Sequence, residues 1–305
     1  MNARTCRMLG GLGAVFAFLL LIFNFSHHTS PLRQFSKSSG HDGRLNNIYN
    51  ATLGFERVFI INLPTRSDTR DLWTLAGHLT NVSVEFRDGV TNVHEKAKPP
   101  GAEKFTNTPA LGAWRANMDI LQEMVAKGIS SALIMEDDTD WDIRIKSQLE
   151  TFARASRLLL QPGGNPLQSF EEDISELKRL DRLRKEPTSS PYGDLDQWDV
   201  LWLGHLGTKT PDPGKGGNVA ILNDHTVPEK QHIGDDWDDD QLSRYPDHTR
   251  LVERSIYTMG SQAYAISLPG ARKMLYECGT KRIERAGKAI CDRKPFSSES
   301  PSCDR

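Results

Sequence analysis

The chain has 305 residues, 37% of them hydrophobic and 26% charged, with a formal net charge of −2 and four cysteines. That length allows one sizeable catalytic domain with appendages, or two small domains. Near-neutral charge leaves no electrostatic footprint for nucleic acid, and four cysteines are too few for a disulfide-built scaffold, so the core has to come from packing.

The first 25 residues are of a different kind. Arg4 and Arg7 precede an apolar run over residues 9–25, just long enough to cross a bilayer with the N-terminus on the cytoplasmic side. No small-x-small cleavage site follows Phe25, which favours a retained signal anchor over a cleaved signal peptide. The expected organisation is a cytoplasmic tail (1–8), a transmembrane signal anchor (9–25), a polar stem (26–54), a globular domain (55–279) and a tail (280–305). This describes a single-pass type II membrane protein of the Golgi or endoplasmic reticulum with its domain in the lumen. The sequons Asn50-Ala-Thr52 and Asn81-Val-Ser83 are compatible with that route, and a third, Asn24-Phe-Ser26, abuts the apolar run.

Within the domain, the continuous apolar run Arg57–Leu63 suits a strand buried on both faces, and Pro64 ends it. Ser67 is placed to cap a helix with Leu72, Leu75, Ala76 and Leu79 as its apolar stripe. Ser83–Arg87 reads as a second strand turning at Asp88-Gly89. Thr108 as cap, Pro109 and Gly128 punctuate a helix whose buried stripe is Leu111, Trp114, Met118, Leu121 and Val125. A strand follows, then a helix through Leu149 and Leu159. Residues 161–192, with a charged helix from Glu171 to Lys185, read as a surface insertion. Asp196–Gly204 is the next strand, residues 208–250 read as loop, Ser261–Ser267 is a last strand, and Pro269 starts a last helix. Strands alternating with helices predict an α/β domain with a largely parallel sheet.

The chemistry centres on Ser131–Asp138, where an apolar strand stops at Glu136, Asp137 and Asp138. Side chains alternate along a strand, so Glu136 and Asp138 are expected to converge as metal ligands, with Asp137 pointing away. Mg²⁺ or Mn²⁺ is held by one or two carboxylates plus substrate phosphates, and open α/β sheets bind ligands beyond their strand carboxyl ends. A solvated acidic turn is the plain alternative.

Taken together, Val58–Leu63 with Arg66, Asp68 and Arg70, the Asp88-Gly89 turn, Leu111-Gly-Ala-Trp114, Ala132–Asp138, Trp198–His205 and Ala263–Ser267 with Gly270-Ala271 resemble glycosyltransferase family 25, the lipooligosaccharide and collagen β-galactosyltransferases, and most closely its fungal members. The resemblance implies a GT-A-like nucleotide-diphospho-sugar transferase fold. It also implies inverting transfer of a sugar, galactose from UDP-galactose first, to a glycan or glycoprotein acceptor. Glu136–Asp138 stands where such enzymes carry their acidic metal motif for Mn²⁺ or Mg²⁺. Asn62, Arg66, Arg70, Asp88 and Glu136 are then donor-side candidates, Glu136 and Asp138 the metal ligands, and Asp138 and Asp199 the catalytic candidates, with the acids around Trp237 as further bases. The chain departs from the family at Arg115-Ala116-Asn117, where a Ser-His pair is usual, and over residues 282–305, which suggests a truncated or altered C-terminus. Two other functions fit the same carboxylates: a non-catalytic relative that binds nucleotide-sugar, and a metal-dependent phosphoester hydrolase. His205, at a strand end, is a candidate to touch substrate, while the spacing of His205, His225, His232 and His248 carries no zinc pattern.

Overall fold

The computed structural model describes residues 43–105, 107–209, 211, 215–233 and 243–281. The expected anchor, most of the stem, the acids around Trp237 and the tail beyond 281 lie outside the described residues. Among those described, no helix is long and apolar enough to cross a membrane.

The domain begins before residue 55. Residues 43–54, expected as stem, carry a 3-10 helix (Leu45–Tyr49) and bury Leu45, Ile48 and Leu53 against Phe55 and Tyr192. Three apolar side chains within nine residues gain more by joining the core than a solvated linker would.

The central sheet is built from β1 (Arg57–Asn62), β2 (Glu85–Asp88), β3 (Ser131–Glu136), β5 (Val200–Gly204) and β10 (Ala263–Ser267), in the order β2-β1-β3-β10-β5. β2 and β3 flank β1 in parallel, while β10 runs antiparallel to both β3 and β5. Four of the five strands therefore point one way, a mixed α/β domain with a mostly parallel sheet. Alternation along β1 and β3 feeds two cores: Phe59, Ile61, Ala132 and Ile134 face one side, Val58, Ile60, Leu133 and Met135 the other.

The first core is covered by α2 (Thr108–Lys127) and by α4 (Leu268–Met274), which continues as a π turn, Leu275–Thr280. In α2 the expected stripe holds: Leu111, Trp114, Met118 and Leu121 are buried and Val125 half-buried. Its cap, however, is Asn107, whose side chain accepts from the Ala110 N–H, with Thr108 and Pro109 already inside the helix and Gly128 left-handed at its end. The second core is covered by α1 (Ser67–Thr80) and α3 (Ile145–Leu159).

For α1 the expected stripe is wrong. Leu72, Leu75 and Leu79 are 65%, 56% and 66% exposed, and the buried positions are Thr69, Trp73 and Gly77. Trp73 buries a larger apolar surface than any leucine, and its Nε1–H donates to the Asp137 carbonyl at 3.0 Å. Gly77 lets the helix lie on the following turn, since a Cβ there would sit 2.6 Å from the Val82 carbonyl oxygen. Nor does Ser67 cap the helix; Arg66 occupies that position without a capping bond.

A second sheet overturns two further expectations. β4 (Phe170–Asp173) pairs in parallel with β7 (Asn218–Leu222), which pairs antiparallel with β8 (Arg250–Glu253). The segment expected as a charged surface helix is thus a strand followed by a 3-10 helix (Ile174–Asp181), with Leu180 buried on Val219, Ile221 and Val252. The stretch expected as loop holds β7, whose Val219, Ala220 and Ile221 are fully buried. It also holds β6 (Gly207–Lys209), which pairs with β9 (Tyr257–Met259). Five residues flanked by glycines and Asn223 are too short a signal to stand out, yet enough for a strand once neighbours exist.

Candidate active site at the carboxyl edge of the sheet

Three adjacent parallel strands end together: β1 at Asn62, β2 at Asp88 and β3 at Glu136. α1 starts just beyond β1 and adds Arg66, Arg70 and Thr69. The candidates Asn62, Arg66, Arg70, Asp88, Glu136 and Asp138 therefore share one edge.

The strand stops at Glu136, so the alternation expected to carry through Asp138 does not operate; Asp137 and Asp138 lie in a turn. Asp137 is turned inward. Its Oδ2 accepts from Asn62 Nδ2 at 2.7 Å and Thr69 Oγ1 at 2.9 Å, and its backbone N–H donates to the Ile61 carbonyl at 3.1 Å. With the Trp73 bond, this one residue ties β1, α1 and β3 together.

Asn62 is correspondingly consumed. It is 1% exposed, its Nδ2 also reaches the Arg66 carbonyl at 3.2 Å, and its Oδ1 accepts from Arg70 Nε at 3.3 Å. The expectation that Asn62 contacts a nucleotide-sugar is corrected: it orients Arg70 and Asp137 instead. Arg70 also lies over the Phe86 ring, 4.8 Å from its centroid, and 3.8 Å from Asp88 Oδ1. Arg66 grips Asp68 with Nε and Nη2, each at 2.9 Å, and its guanidinium also feels Asp137 and Asp138.

Glu136 is the strained group. Burial pushes its carboxyl above the ordinary value, a hydrogen bond from the Ser261 hydroxyl opposes that rise, and the charges of Asp138 and then Asp137 add to it. Asp138 is exposed. Glu136, with the Ser261 hydroxyl as its one donor among the described residues, and exposed Asp138 thus form an acidic pair less fully partnered than Asp137. Among the described residues no group of three or more His, Cys, Asp or Glu is placed to hold a metal. Two carboxylates still match the protein share of a Mg²⁺ or Mn²⁺ site whose remaining ligands are water and donor phosphate.

Asp199 is corrected outright. It precedes β5, at the opposite edge of the sheet, where its carboxylate accepts from Lys273 Nζ at 2.8 and 2.9 Å and its carbonyl from Ser267 N–H. A strand's length separates it from Glu136. His205, by contrast, follows the carboxyl end of β5. Gly204, Ala263 and Met135 form one row across three strands, and the Glu136 N–H donates to the Gln262 carbonyl, so His205 lies one row on, with Glu136. Two strand spacings put their backbones roughly 10 Å apart. His205 lies at the surface, but the chain packed around its ring displaces enough water to hold the imidazole below its ordinary value, and it makes no hydrogen bond among the described residues.

Thr69, Trp73 and Ser261 were not foreseen. Thr69 and Trp73 share one face of α1 with Gly77, a pattern hidden by the stronger leucine spacing. Ser261 reaches Glu136 only because β10 inserts beside β3, for which the sequence carries no local signal. No protein-family model matches the chain.

Proposed function

We propose that this chain is a membrane-anchored, lumenal, metal-dependent hexosyltransferase of GT-A-like architecture, similar to glycosyltransferase family 25. It transfers a sugar, galactose from UDP-galactose first, to a hydroxyl of a glycan or glycoprotein with inversion. The observation that carries this reading is that the acidic pair Glu136 and Asp138 shares the carboxyl ends of adjacent parallel strands with Arg66 and Arg70. Acidic and basic groups gathered at such an edge suit a metal diphosphate.

Glu136 and Asp138 would hold Mn²⁺ or Mg²⁺, which when bound supplies Lewis-acid stabilisation to the leaving diphosphate. Arg70, fixed by Asn62 and Phe86, presents its guanidinium to diphosphate oxygens, and Arg66 exchanges Asp68 for the same partner. With Asp199 at the far edge, His205 is the group for acceptor deprotonation. Its neutral ring takes the hydroxyl proton as the oxygen bonds to the anomeric carbon, and the nucleoside diphosphate departs from the opposite face with the electron pair.

The test is calorimetric binding of UDP-galactose to the full chain in detergent, with and without Mn²⁺, followed by transfer assays on wild type and His205→Gln. Metal-dependent binding with transfer lost only in His205→Gln supports the reading. Binding without transfer by wild type supports the non-catalytic relative, turnover without acceptor the hydrolase, and no binding overturns the proposal.

A further inference from the structure

Two tripeptides that this chemistry does not use lie side by side at the other edge of the sheet. The Ser83 N–H, in Asn81-Val-Ser83, donates to the carbonyl of Ala51, in Asn50-Ala-Thr52, at 2.7 Å. Lys146 Nζ bridges the same two segments, donating to the Tyr49 carbonyl at 3.1 Å and the Asn81 carbonyl at 3.0 Å. The sequons therefore form one joined surface feature, held by a main-chain bond and the Lys146 side chain, and neither asparagine side chain takes part in joining them.

Both asparagines are exposed, and each keeps its amide nitrogen free among the described residues. Asn50 uses only its oxygen: Oδ1 accepts from Thr52 N at 2.8 Å, Thr52 Oγ1 at 3.1 Å and Gly54 N at 3.1 Å, an Asx turn that closes the approach to β1. Asn81 sits just past α1 in the left-handed region, with φ of 53°, and its side chain enters no hydrogen bond among the described residues. A substituent on either Nδ2 would break no bond of the fold.

We propose that Asn50 and Asn81 both carry N-linked oligosaccharides, a reading that rests on the lumenal placement proposed above. In the transfer, the asparagine Nδ2 bonds to the anomeric carbon of an oligosaccharide carried on a lipid diphosphate. The carbon–oxygen bond to the carrier breaks, the lipid diphosphate leaves with the electron pair, and the nitrogen loses a proton. Placement keeps the two functions apart: Asn81 lies a full 14-residue helix, about 20 Å, from the start of α1 beside Arg66. Glycans there clothe the amino edge of the sheet and leave the carboxyl edge open to donor and acceptor.

The experiment expresses the full chain in a eukaryotic secretory host and probes isolated microsomes with protease, with and without detergent. Each site is then mapped by enzymatic deglycosylation in heavy-oxygen water with peptide mass spectrometry. The variants are Asn50→Asp, which keeps the oxygen that accepts the Asx-turn bonds, and Asn81→Gly, which suits the left-handed backbone. The expected result is a protease-protected chain with two glycans, each variant losing one glycan-sized step in mass. A protected chain unmodified at both positions overturns the glycan assignment and leaves the lumenal reading standing, and an accessible, unmodified chain overturns both. A glycan at one position alone overturns the proposal for the other.

Discussion

The two edges of the central sheet handle carboxylates in opposite ways. At the amino edge each has a donor: Glu56 accepts from the Ser130 N–H and hydroxyl, both at 2.7 Å, which holds it below its ordinary value, and Asp199 is paired with Lys273. At the carboxyl edge three carboxylates stand in a row: among the described residues Asp137 has two side-chain donors, Glu136 has the Ser261 hydroxyl alone and is still pushed up by burial beside like charge, and Asp138 is exposed. The first arrangement stabilises the fold; the second leaves electrostatic tension that a bound cation would relieve. That contrast between the edges is what singles out the carboxyl edge as the candidate site.

The largest test of this contrast is Trp73→Ala, which removes a buried indole and the bond that seats Asp137. A loss of about 3–5 kcal/mol is expected in denaturant unfolding, against less than about 0.5 kcal/mol for Leu79→Ala on the exposed side of the same helix. Equal losses would mean that the leucine face is covered. Next, Asp138→Asn should weaken Mn²⁺-dependent UDP-galactose binding at least tenfold, about 1.4 kcal/mol, whereas Asp199→Asn leaves it unchanged and costs under about 1 kcal/mol of stability. If calorimetry finds both variants equally weak, the site is not confined to one edge.

A smaller and more pointed pair exchanges charge for amide. In chelator-treated protein, Glu136→Gln should leave stability unchanged or raise it, because it removes a buried charge beside Asp138. Glu56→Gln should lower it by about 1 kcal/mol through the lost charge-assisted bonds. Thermal melts that rank the two the other way would sink the comparison. The smallest effect is on the acid limb. Arg87, with Lys127 assisting, holds Glu123 of α2 at about 2, below the unfolded value, so its stabilisation is complete above about 4.5 and fades as pH falls toward 2. Unfolding measured across that window should lose part of its pH dependence in Glu123→Gln.

Much of this domain was legible because local patterns report local physics. The doubly buried strands β1 and β3, the α2 stripe between Pro109 and Gly128, and the acidic stop at the end of β3 all follow from side-chain periodicity and from what Pro and Gly do to backbone. Those determined the class of fold and the edge where chemistry is expected. Only the tertiary structure decided which carboxylates are free. Asp137 turns inward because Asn62 and Thr69, 75 and 68 residues away, offer donors, and Ser261 meets Glu136 across 125 residues. Asp199 is excluded because β5 runs parallel to β3, with β10 reversed between them, which sends the amino end of β5 away from Glu136. Strand order and direction are set by the burial of whole faces against one another, and no window of neighbouring residues encodes that.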